Sequence, residues 1–394
     1  MSYLVINSGS STIKIAIFSE AADGTLQRRL HGLVDRHNVS PALHMLDEEG
    51  EVLVDTALST PRGDHGRALE AVLKHCDRFF GHEGLSAAGH RVVHGGVKFS
   101  APLRIDAQNL AELEALAPLA PQHQPYNLAG IHALQELRPG LAQVACFDTA
   151  FHRSQPQIAQ RFALPRQWFD RGVLRYGFHG LSYEYIAARL AEIDPQAARG
   201  RTVVAHLGHG ASACALSGGV SVATSMGFTA LDGLPMGTRC GSLDPGVVLH
   251  FLQQQELSAA EVSHLLYERS GLLGVSGISD DMRELLESEA PEAEEAVALF
   301  VYRTVREIAS LAGALGGVDA LVFTGGIGEH AAPVRARILE GLGWLGVRSD
   351  EAANNADARC ISSADSPIRA WVIPTDEERV IAGHCRRLLS AADQ

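Results

Sequence analysis

The sequence predicts an α/β protein built from two similar domains. Its first apolar run, residues 4–6, breaks at a turn of small and polar residues, after which Ile13, Ile15 and Ile17 alternate with other residues. This pattern is typical of a strand–turn–strand hairpin. Residues 203–216 repeat the same order, with an apolar run, a glycine-containing break and a second run of small residues. Two similar hairpins this far apart in the chain indicate a duplicated domain.

The breaks in these hairpins have the composition of phosphate-binding turns. Gly9 lets the backbone approach a ligand closely, and backbone amides in such a turn can bind phosphate oxygens, although an ordinary hairpin with a polar tip has the same pattern. Residues 321–330 form a third case, in which an apolar strand runs into a segment that we interpret as a glycine-rich loop. Three such loops predict a nucleotide cleft between the two halves. The arrangement resembles the actin, sugar kinase and Hsp70 superfamily, which implies two duplicated RNase H-like domains.

The first half of the chain supplies the elements of one domain in order. After the hairpin, its predicted strands fall within residues 29–55, 87–96 and 144–147. Its predicted helices cover residues 66–82, 110–117 and 127–137. The second helix stops at Pro118, and a proline-bounded loop at residues 121–127 precedes the third. Arg91 and Asp148 stand at strand ends, where open α/β sheets bind ligands. A domain boundary is expected near Thr149.

The second half supplies the elements of the other domain. Its predicted helices cover residues 183–190, 245–255, 259–270, 292–315 and 334–340, with residues 279–283 capping a further helix. Residues 371–374 read as a strand, and the last helix, 379–391, is expected to return to the first domain. The predicted domains are therefore residues 1–149 with 376–394, and residues 150–375.

Composition excludes several classes of function. The net charge of −13 and the pI near 5.7 argue against general binding to nucleic acid or to an anionic membrane. No apolar run is long enough to span a bilayer, and the first strand begins too early for a signal peptide. The six cysteines show no CxxC spacing, which predicts reduced thiols in a cytoplasmic protein.

Other nucleotide and metal motifs are absent or out of context. Residues 341–346 match GxGxxG by letter, but they follow a predicted helix rather than a strand, so we reject a dinucleotide fingerprint. The sequence contains no GxxxxGK[ST] loop. Its 18 histidines show no HExxH and no other zinc spacing.

Ten segments, spread in one order over nearly the whole chain, together resemble the acetate kinase family. They read VINSGSSTIK, GHRVVHGG, QHQP, FDTAFH, RYGFHG, HLGHG, DGLPMGTRCG, SDDMR, FTGGIGE and VIPTDEE. The resemblance implies a Mg²⁺-dependent enzyme that transfers phosphate reversibly from ATP to acetate, giving acetyl phosphate and ADP, and that forms a homodimer through its second domain. Propionate or butyrate kinase is the nearest alternative. A non-catalytic ATP switch would need the phosphate loops but not the arginines and histidine of the acyl site.

The resemblance also implies roles for single residues. A carboxylate nucleophile is already ionised, so this phosphoryl transfer depends on positioning and charge rather than on a strong base. Arg91 and Arg239 would bind the acyl carboxylate and the transferred phosphoryl group. His179 would donate to a phosphoryl oxygen, with His123 assisting nearby, and Asp148 would orient an arginine and the water shell of the metal.

Further residues are implied for the ligands. Asn7 and Glu377 would hold Mg²⁺, with Mn²⁺ as a substitute. The acyl group would contact Arg91, Val93, Gln122, Phe178 and Ala230. The nucleotide would contact Ser10, Ser11, Thr12, Lys14, His206, Leu207, Gly208, His209, Gly210, Asp281, Met282, Arg283, Gly326, Ile327, Gly328, Glu329 and His330.

Five positions depart from the family pattern. His209 and His330 stand where asparagines are expected, and Tyr183 stands where a histidine is expected. Gln122 replaces an apolar residue, and Ala230 replaces a proline. The histidines at 209 and 330 bear on which phosphoryl donor the protein uses. Gln122 and Ala230 bear on which acyl substrate it accepts.

Overall fold

The computed structural model of the chain describes residues 1–9, 12–35, 42–58, 65–80 and 84–390. It divides into two compact units, of which the first joins Met1–Phe151 to Asp376–Gln394 and the second is His152–Thr375. The boundary expected near Thr149 lies beside this division.

The first unit is built on an eight-stranded mixed sheet with the order β5-β4-β3-β2-β1-β6-β8-β7. Its strands are Ser2–Ser8 (β1), Thr12–Glu20 (β2), Leu26–Asp35 (β3), Ala42–Asp47 (β4), Val52–Ala57 (β5), Ala87–Val92 (β6), Leu103–Arg104 (β7) and Ala142–Phe147 (β8). β1 and β2 form the predicted antiparallel hairpin, with Ile6 opposite Ile15 and Asn7 opposite Lys14. β1, β6 and β8 are parallel to one another.

Three helices of the first half pack with this sheet. They are His65–Phe80 (α1), Ala107–Glu114 (α2) and Gln124–Leu137 (α3). Leu69 and Val72 of α1 and Leu134 of α3 are buried in one core with the isoleucines of β2. The helical spacing of apolar residues, with a period of about 3.6, thus predicted the position of α1 correctly.

Two predicted boundaries in this region are wrong. α2 ends at Glu114 rather than at Pro118, which lies instead in a separate 3₁₀ turn, Ala117–Leu119. α3 begins at Gln124, so part of the predicted proline-bounded loop is helical. Pro125 is accommodated there because the first turn of a helix needs no backbone N–H donor from it.

The second unit contains a five-stranded sheet with the order β11-β10-β9-β12-β13. Its strands are Arg201–Leu207 (β9), Ala211–Ser217 (β10), Val220–Thr224 (β11), Ala320–Thr324 (β12) and Arg369–Val372 (β13). Two antiparallel pairings join β11, β10 and β9, and two parallel pairings join β9, β12 and β13. The series β3-β2-β1-β6-β8 of the first sheet has the same order and directions, so the duplication predicted from the hairpins is confirmed.

Helices flank the strands of the second unit. They are Gln157–Gln160 (α4), Arg166–Asp170 (α5), Gly180–Ile193 (α6), Pro195–Arg199 (α7), Pro245–Gln253 (α8), Ala259–Glu268 (α9), Gly271–Ser276 (α10), Met282–Glu287 (α11), Pro291–Leu315 (α12), Gly325–His330 (α13), Ala332–Gly341 (α14) and Glu351–Asn355 (α15). Asp281 accepts a hydrogen bond from the Arg283 amide and caps α11, as the sequence predicts. The longest predicted helix, α12, ends at Leu315, and its C-cap residue Gly316 has a φ of 69°, which suits glycine.

The glycine-rich segment after β12 is a helix, α13, and not the predicted loop. Glycine disfavours helices, but side chains bind the backbone of this one. The carboxylate of Glu329, within the helix, accepts a hydrogen bond from the Gly325 amide, and Arg335 of α14 donates to the carbonyls of Gly328 and Glu329. Side-chain hydrogen bonds to the backbone therefore outweigh local propensity here.

The last helix, Glu377–Ser390 (α16), packs on the sheet of the first unit. A Cβ atom on Gly89 of β6 would lie 2.4 Å from a methyl carbon of Ile381 and 2.7 Å from the Cys385 sulfur. Only glycine permits this approach of helix and strand. α16 starts two residues before the predicted position 379, and Ala391 lies outside the described residues.

The six cysteines all lie in the described ranges, and none of them forms a disulfide. Within the described ranges, none of the helices has the length and apolar character that a membrane crossing requires.

Candidate active site

Three side chains meet at the carboxyl ends of parallel strands in the first unit. Arg91 belongs to β6, Asp148 follows β8 directly, and Asn7 lies near the end of β1. Arg91 donates to Asp148 Oδ2 from Nε at 2.9 Å and from Nη2 at 2.5 Å, and to Asn7 Oδ1 from Nη1 at 3.3 Å. Since open α/β sheets bind ligands beyond these strand ends, the contacts fix a guanidinium where an anion can bind.

Carboxylates surround this guanidinium. Burial lowers the pKa of Arg91, but the charges of Asp148 and Glu377 outweigh burial, so its pKa is raised and the group stays a cation. Burial raises the pKa of Glu377; Arg91 opposes this rise, while Asp148 and Glu378 add to it. The acidic groups Asp148, Glu377 and Glu378 thus outnumber the nearby cations Arg91 and Lys14, and a further cation would stabilise the cluster.

The cluster contains oxygen donors suited to a hard cation. The Asp148 side chain is 1% exposed, and its Oδ1 atom has no hydrogen-bond partner among the described residues. Asn7 adds an amide oxygen and Glu377 a carboxylate. No group of three or more His, Cys, Asp or Glu residues that could form a metal cage occurs in the described part of the chain. Mg²⁺ takes few protein oxygens and keeps several waters, and the unpartnered Asp148 Oδ1 with the oxygens of Asn7 and Glu377 suits that requirement.

The loop after β6 is held by two amide side chains that the sequence analysis did not single out. Asn127 accepts a hydrogen bond from the Val93 amide at 2.9 Å and donates to the Ser8 carbonyl at 2.5 Å. Gln124 accepts from the His94 amide and donates to its carbonyl, each at 3.1 Å. Both amides lie in the first turns of α3, so they fix the buried Val93 relative to β1.

The other first-unit candidates lie close to these elements. Gln122 and His123 directly precede α3 and are half-buried, and His123 occupies its N-cap position without a side-chain cap bond. Lys14 is exposed on β2 opposite Asn7. The Gly9 amide donates to the Thr12 carbonyl at 2.8 Å and closes the hairpin turn. Ser10 and Ser11 lie outside the described residues.

In the second unit, His179 and His206 stack with ring centroids 4.4 Å apart. His179 precedes α6, and its Nδ1 lies 2.9 Å from the Ser212 hydroxyl of β10. His206 lies on β9, with its Nδ1 2.9 Å from the Ser182 hydroxyl. Each histidine is therefore oriented by a serine, which sequence spacing alone could not indicate.

The loop that carries Arg239 is closely packed on α10. Arg239 Nη1 donates to the Ala230 carbonyl at 3.1 Å, and the Met236 amide donates to the Arg239 carbonyl at 3.0 Å. A Cβ atom on Gly271 would lie 2.1 Å from the Met236 carbonyl oxygen, so glycine is required for this packing. The backbone around the half-buried Arg239 is thereby fixed.

A cavity of about 550 Å³ lies among three segments of the second unit. It is lined by Gly208, His209, Asp280, Asp281, Met282, Arg283, Leu286, Gly326, Ile327, His330, Ala331 and Pro333. Eight of these residues were predicted to contact the nucleotide. Asp280 was not among the predicted residues, and its Oδ2 atom lies 2.9 Å from His209 Nε2. Hydrogen bonds from Arg283 lower the pKa of Asp281, so this wall carries negative charge beside Arg283.

The remaining second-unit candidates do not line this cavity. Leu207 is fully buried in β9. Gly328 is also buried, and a Cβ atom added to it would lie 3.4 Å from the carbonyl carbon of Phe323. The Glu329 carboxylate accepts hydrogen bonds from the amides of Gly325 and Thr375. These residues therefore shape the backbone around the cavity.

Comparison with known proteins adds independent findings. A model of the Acetokinase family matches residues 2–383. The acetate kinase of Rhodopseudomonas palustris is 52% identical over 390 residues, which cover 98% of this chain and 98% of the relative.

Solved structures agree with this match. The acetate kinase of Porphyromonas gingivalis is similar with a TM-score of 0.88 and 36% identity, covering 98% of this chain and 99% of the other. A propionate kinase from Francisella tularensis is similar with a TM-score of 0.90 and 35% identity, covering 97% of this chain and 98% of the other.

Proposed function

The chain belongs to the acetokinase family and transfers phosphate between ATP and acetate, and we propose that it does so by direct in-line attack of the acetate carboxylate on the terminal phosphorus of ATP. The observation that carries the mechanism is Arg91, a guanidinium fixed by Asp148 and Asn7 at the strand ends. An anion must approach a polyanion in this reaction, so fixed positive charge is the principal requirement.

Arg91 and Arg239 bind the two reacting anions in this proposal. The planar fork of arginine matches both a carboxylate and a phosphoryl group. Asp148 orients Arg91 through two donated hydrogen bonds. His179 donates a hydrogen bond to a phosphoryl oxygen, and His123 assists. None of these groups must act as a strong base, because the nucleophile is already an anion.

Asn7 and Glu377 would hold Mg²⁺, or Mn²⁺ in its place, and Asp148 would orient its water shell. The metal would supply charge neutralisation for the phosphate groups. The adenosine part of ATP occupies the cavity of about 550 Å³ in the second unit. His209 and His330 line that cavity in place of the asparagines of the family pattern, with His209 held by Asp280.

Two further features complete the proposal. α8 has no buried residue, and Leu249 and Leu252 are 51% and 38% exposed. Such an apolar helix surface suits contact with a second copy of the chain, so we expect a homodimer that uses the second unit. Cysteines without disulfides are compatible with a reducing, cytoplasmic location.

The reaction is tested with a hydroxamate assay. The purified chain is incubated with ATP, Mg²⁺, hydroxylamine and acetate, propionate or butyrate in turn. Acetyl hydroxamate should form at a rate equal to ADP release, because hydroxylamine traps the acyl phosphate. ADP release that is independent of any carboxylate would contradict the proposal.

Replacing Glu377 with alanine should raise the Mg²⁺ concentration needed for half-maximal activity. The substitution removes one of the two protein oxygens proposed to hold the metal, while saturating Mg²⁺ should restore part of kcat. Glu378→Ala is the matched control, because Glu378 belongs to the same helix turn and contributes only charge. The measurement is a Mg²⁺ titration of initial rates. An unchanged titration for Glu377→Ala together with a shifted one for Glu378→Ala would reassign the ligand.

Acetate should be the best substrate, with only modest discrimination against propionate. Val93 and Phe178 are buried and keep their surroundings apolar, but Ala230 lacks the ring carbons of the proline that the family pattern predicts. One methylene in an apolar pocket is worth about 1–3 kcal/mol, so a small space beside Ala230 could remove much of the preference. This is also the observation that favours propionate kinase as the second candidate.

The test of the acyl pocket is Ala230→Pro. The Ala230 carbonyl that accepts from Arg239 remains in this variant, so Arg239 keeps its contact. We expect kcat/KM for propionate to fall relative to acetate as the ring fills the space. Strong exclusion of propionate by the wild type, or no sharper preference in the variant, would show that Ala230 does not contact the acyl group.

A further inference from the structure

His179 combines a strained backbone with a fixed ring. Its φ of 58° and ψ of 25° lie in the left-handed region, which costs a residue with a side chain about 1–2 kcal/mol. Its ring is nevertheless fixed by two contacts. One face stacks on His206, and at the ring edge Nδ1 lies 2.9 Å from the Ser212 hydroxyl. Such over-determined strain is characteristic of functional positions.

The other ring nitrogen of His179 lies beside the glycine turn between β9 and β10. A Cβ atom on Gly210 would lie 3.3 Å from Nε2 and 3.5 Å from Cε1. Residues 208–210 carry the phosphate-type pattern of the sequence. Nε2, rather than Nδ1, is therefore the nitrogen on the side of this turn.

Ser212 has a second close neighbour, which is Tyr183. The Tyr183 hydroxyl of α6 lies 2.5 Å from Ser212 Oγ, and both side chains are fully buried. Burial raises the pKa of Tyr183 well above its usual value, so the phenol keeps its proton at any pH at which the enzyme works. The buried chain of groups is thus Tyr183, Ser212 and His179.

We propose that Tyr183 is a positioning residue that, through Ser212, holds the proton of His179 on Nε2. The Tyr183 hydroxyl donates to Ser212 Oγ, and the Ser212 hydroxyl donates to His179 Nδ1. A neutral imidazole whose Nδ1 accepts must carry its single proton on Nε2. The inference rests on the proposed function, which needs Nε2–H as the donor to the phosphoryl oxygen. Tyr183, which fixes this tautomer through Ser212, stands at the position where the family pattern has a histidine.

The tautomer is measured directly by ¹⁵N NMR of the full chain labelled at histidine. The His179 signals are identified by their absence from His179→Gln. We expect an unprotonated Nδ1 and a protonated Nε2 in the wild type, and a mixture of tautomers in Tyr183→Phe, which removes only the hydroxyl. A proton on Nδ1 in the wild type, or an unchanged tautomer in Tyr183→Phe, would overturn the proposal.

Kinetics supply the second test. Removing an outer partner of a metal-bound histidine costs about 10–100-fold in affinity or activity, and by analogy we expect kcat of Tyr183→Phe to fall by roughly this factor with KM nearly unchanged. In a His179→Gln background the same change should have no further effect on kcat, because Tyr183 acts only through His179. A purely structural role would lower kcat in both backgrounds. Tyr302→Phe, which removes a hydroxyl from a tyrosine that is 58% exposed, is the control.

These variants separate the two claims. Wild-type kcat in His179→Gln would show that the proposed role of His179 is wrong. A large loss in His179→Gln with wild-type kcat in Tyr183→Phe would leave that role intact and overturn only the role of Tyr183.

Discussion

Arg91→Ala is expected to lower kcat by about 10³-fold or more, the scale seen when an arginine that stabilises a phosphoryl transition state is lost. Arg91 is the cation that Asp148 and Asn7 orient, and its loss leaves the buried carboxylate of Asp148 without this cation. Repulsion would then add to the missing attraction, so KM for acetate should rise as well. The measurement is initial-rate kinetics with acetate and ATP varied.

Loss of fold must be separated from loss of chemistry in this variant. Removing one partner of a pair that includes a buried carboxylate can destabilise a protein by about 3–5 kcal/mol. Arg91→Ala/Asp148→Asn removes both charges, so it should recover thermal stability while activity stays lost. Arg104→Ala, at an exposed arginine of β7, should behave as wild type. Near-normal kcat in Arg91→Ala would show that Arg91 does not stabilise the transition state.

Arg239→Ala should cause a loss of the same order, about 10³-fold in kcat, for the same electrostatic reason. Arg239 Nη1 donates to the Ala230 carbonyl and to the Met236 sulfur, and a hydrogen bond to a charged group contributes about 1.5–3 kcal/mol net. Thermal unfolding of the variant is therefore measured beside kcat, to separate loss of fold from loss of chemistry. The loop backbone is held independently by its packing on Gly271.

Chemical rescue makes the Arg239 test sharper. Added guanidinium at millimolar concentration should restore part of the activity of Arg239→Ala, because the side chain leaves a space that the free cation can occupy. Arg269→Ala, at an exposed arginine that ends α9, is the control and should keep full activity without rescue. If Arg239→Ala retains most of its kcat, its role at the phosphoryl group must be abandoned.

The sequence predicts the strands better than it predicts the segments between them. Alternation of isoleucines located β2, and the structure adds the hairpin register, which places Asn7 opposite Lys14. The predicted strand ends then indicated Arg91 and Asp148 as site residues, because the carboxyl ends of parallel strands bring residues that are distant in sequence to one edge of a sheet. These predictions depend on periodicity, which is a local property of the chain.

The errors arise where side-chain contacts with the backbone or with other elements decide the structure. α13 forms from glycine-rich sequence, and its backbone is bound by the side chains of Glu329 and Arg335. Ser212 sits in a strand of small residues that gives no sign of function, yet it contacts both His179 and Tyr183. Gln124 and Asn127 likewise gain their role from the backbone that they hold, which no spacing in their own segment could reveal.

The stereochemical course at phosphorus tests the central claim, direct transfer, most directly. ATP made chiral at its terminal phosphorus with oxygen isotopes is converted with acetate, and the configuration of the acetyl phosphate is determined. A single in-line displacement predicts inversion of configuration. Retention would require two displacements and a phosphorylated enzyme group, and would contradict the direct attack of acetate beside Arg91.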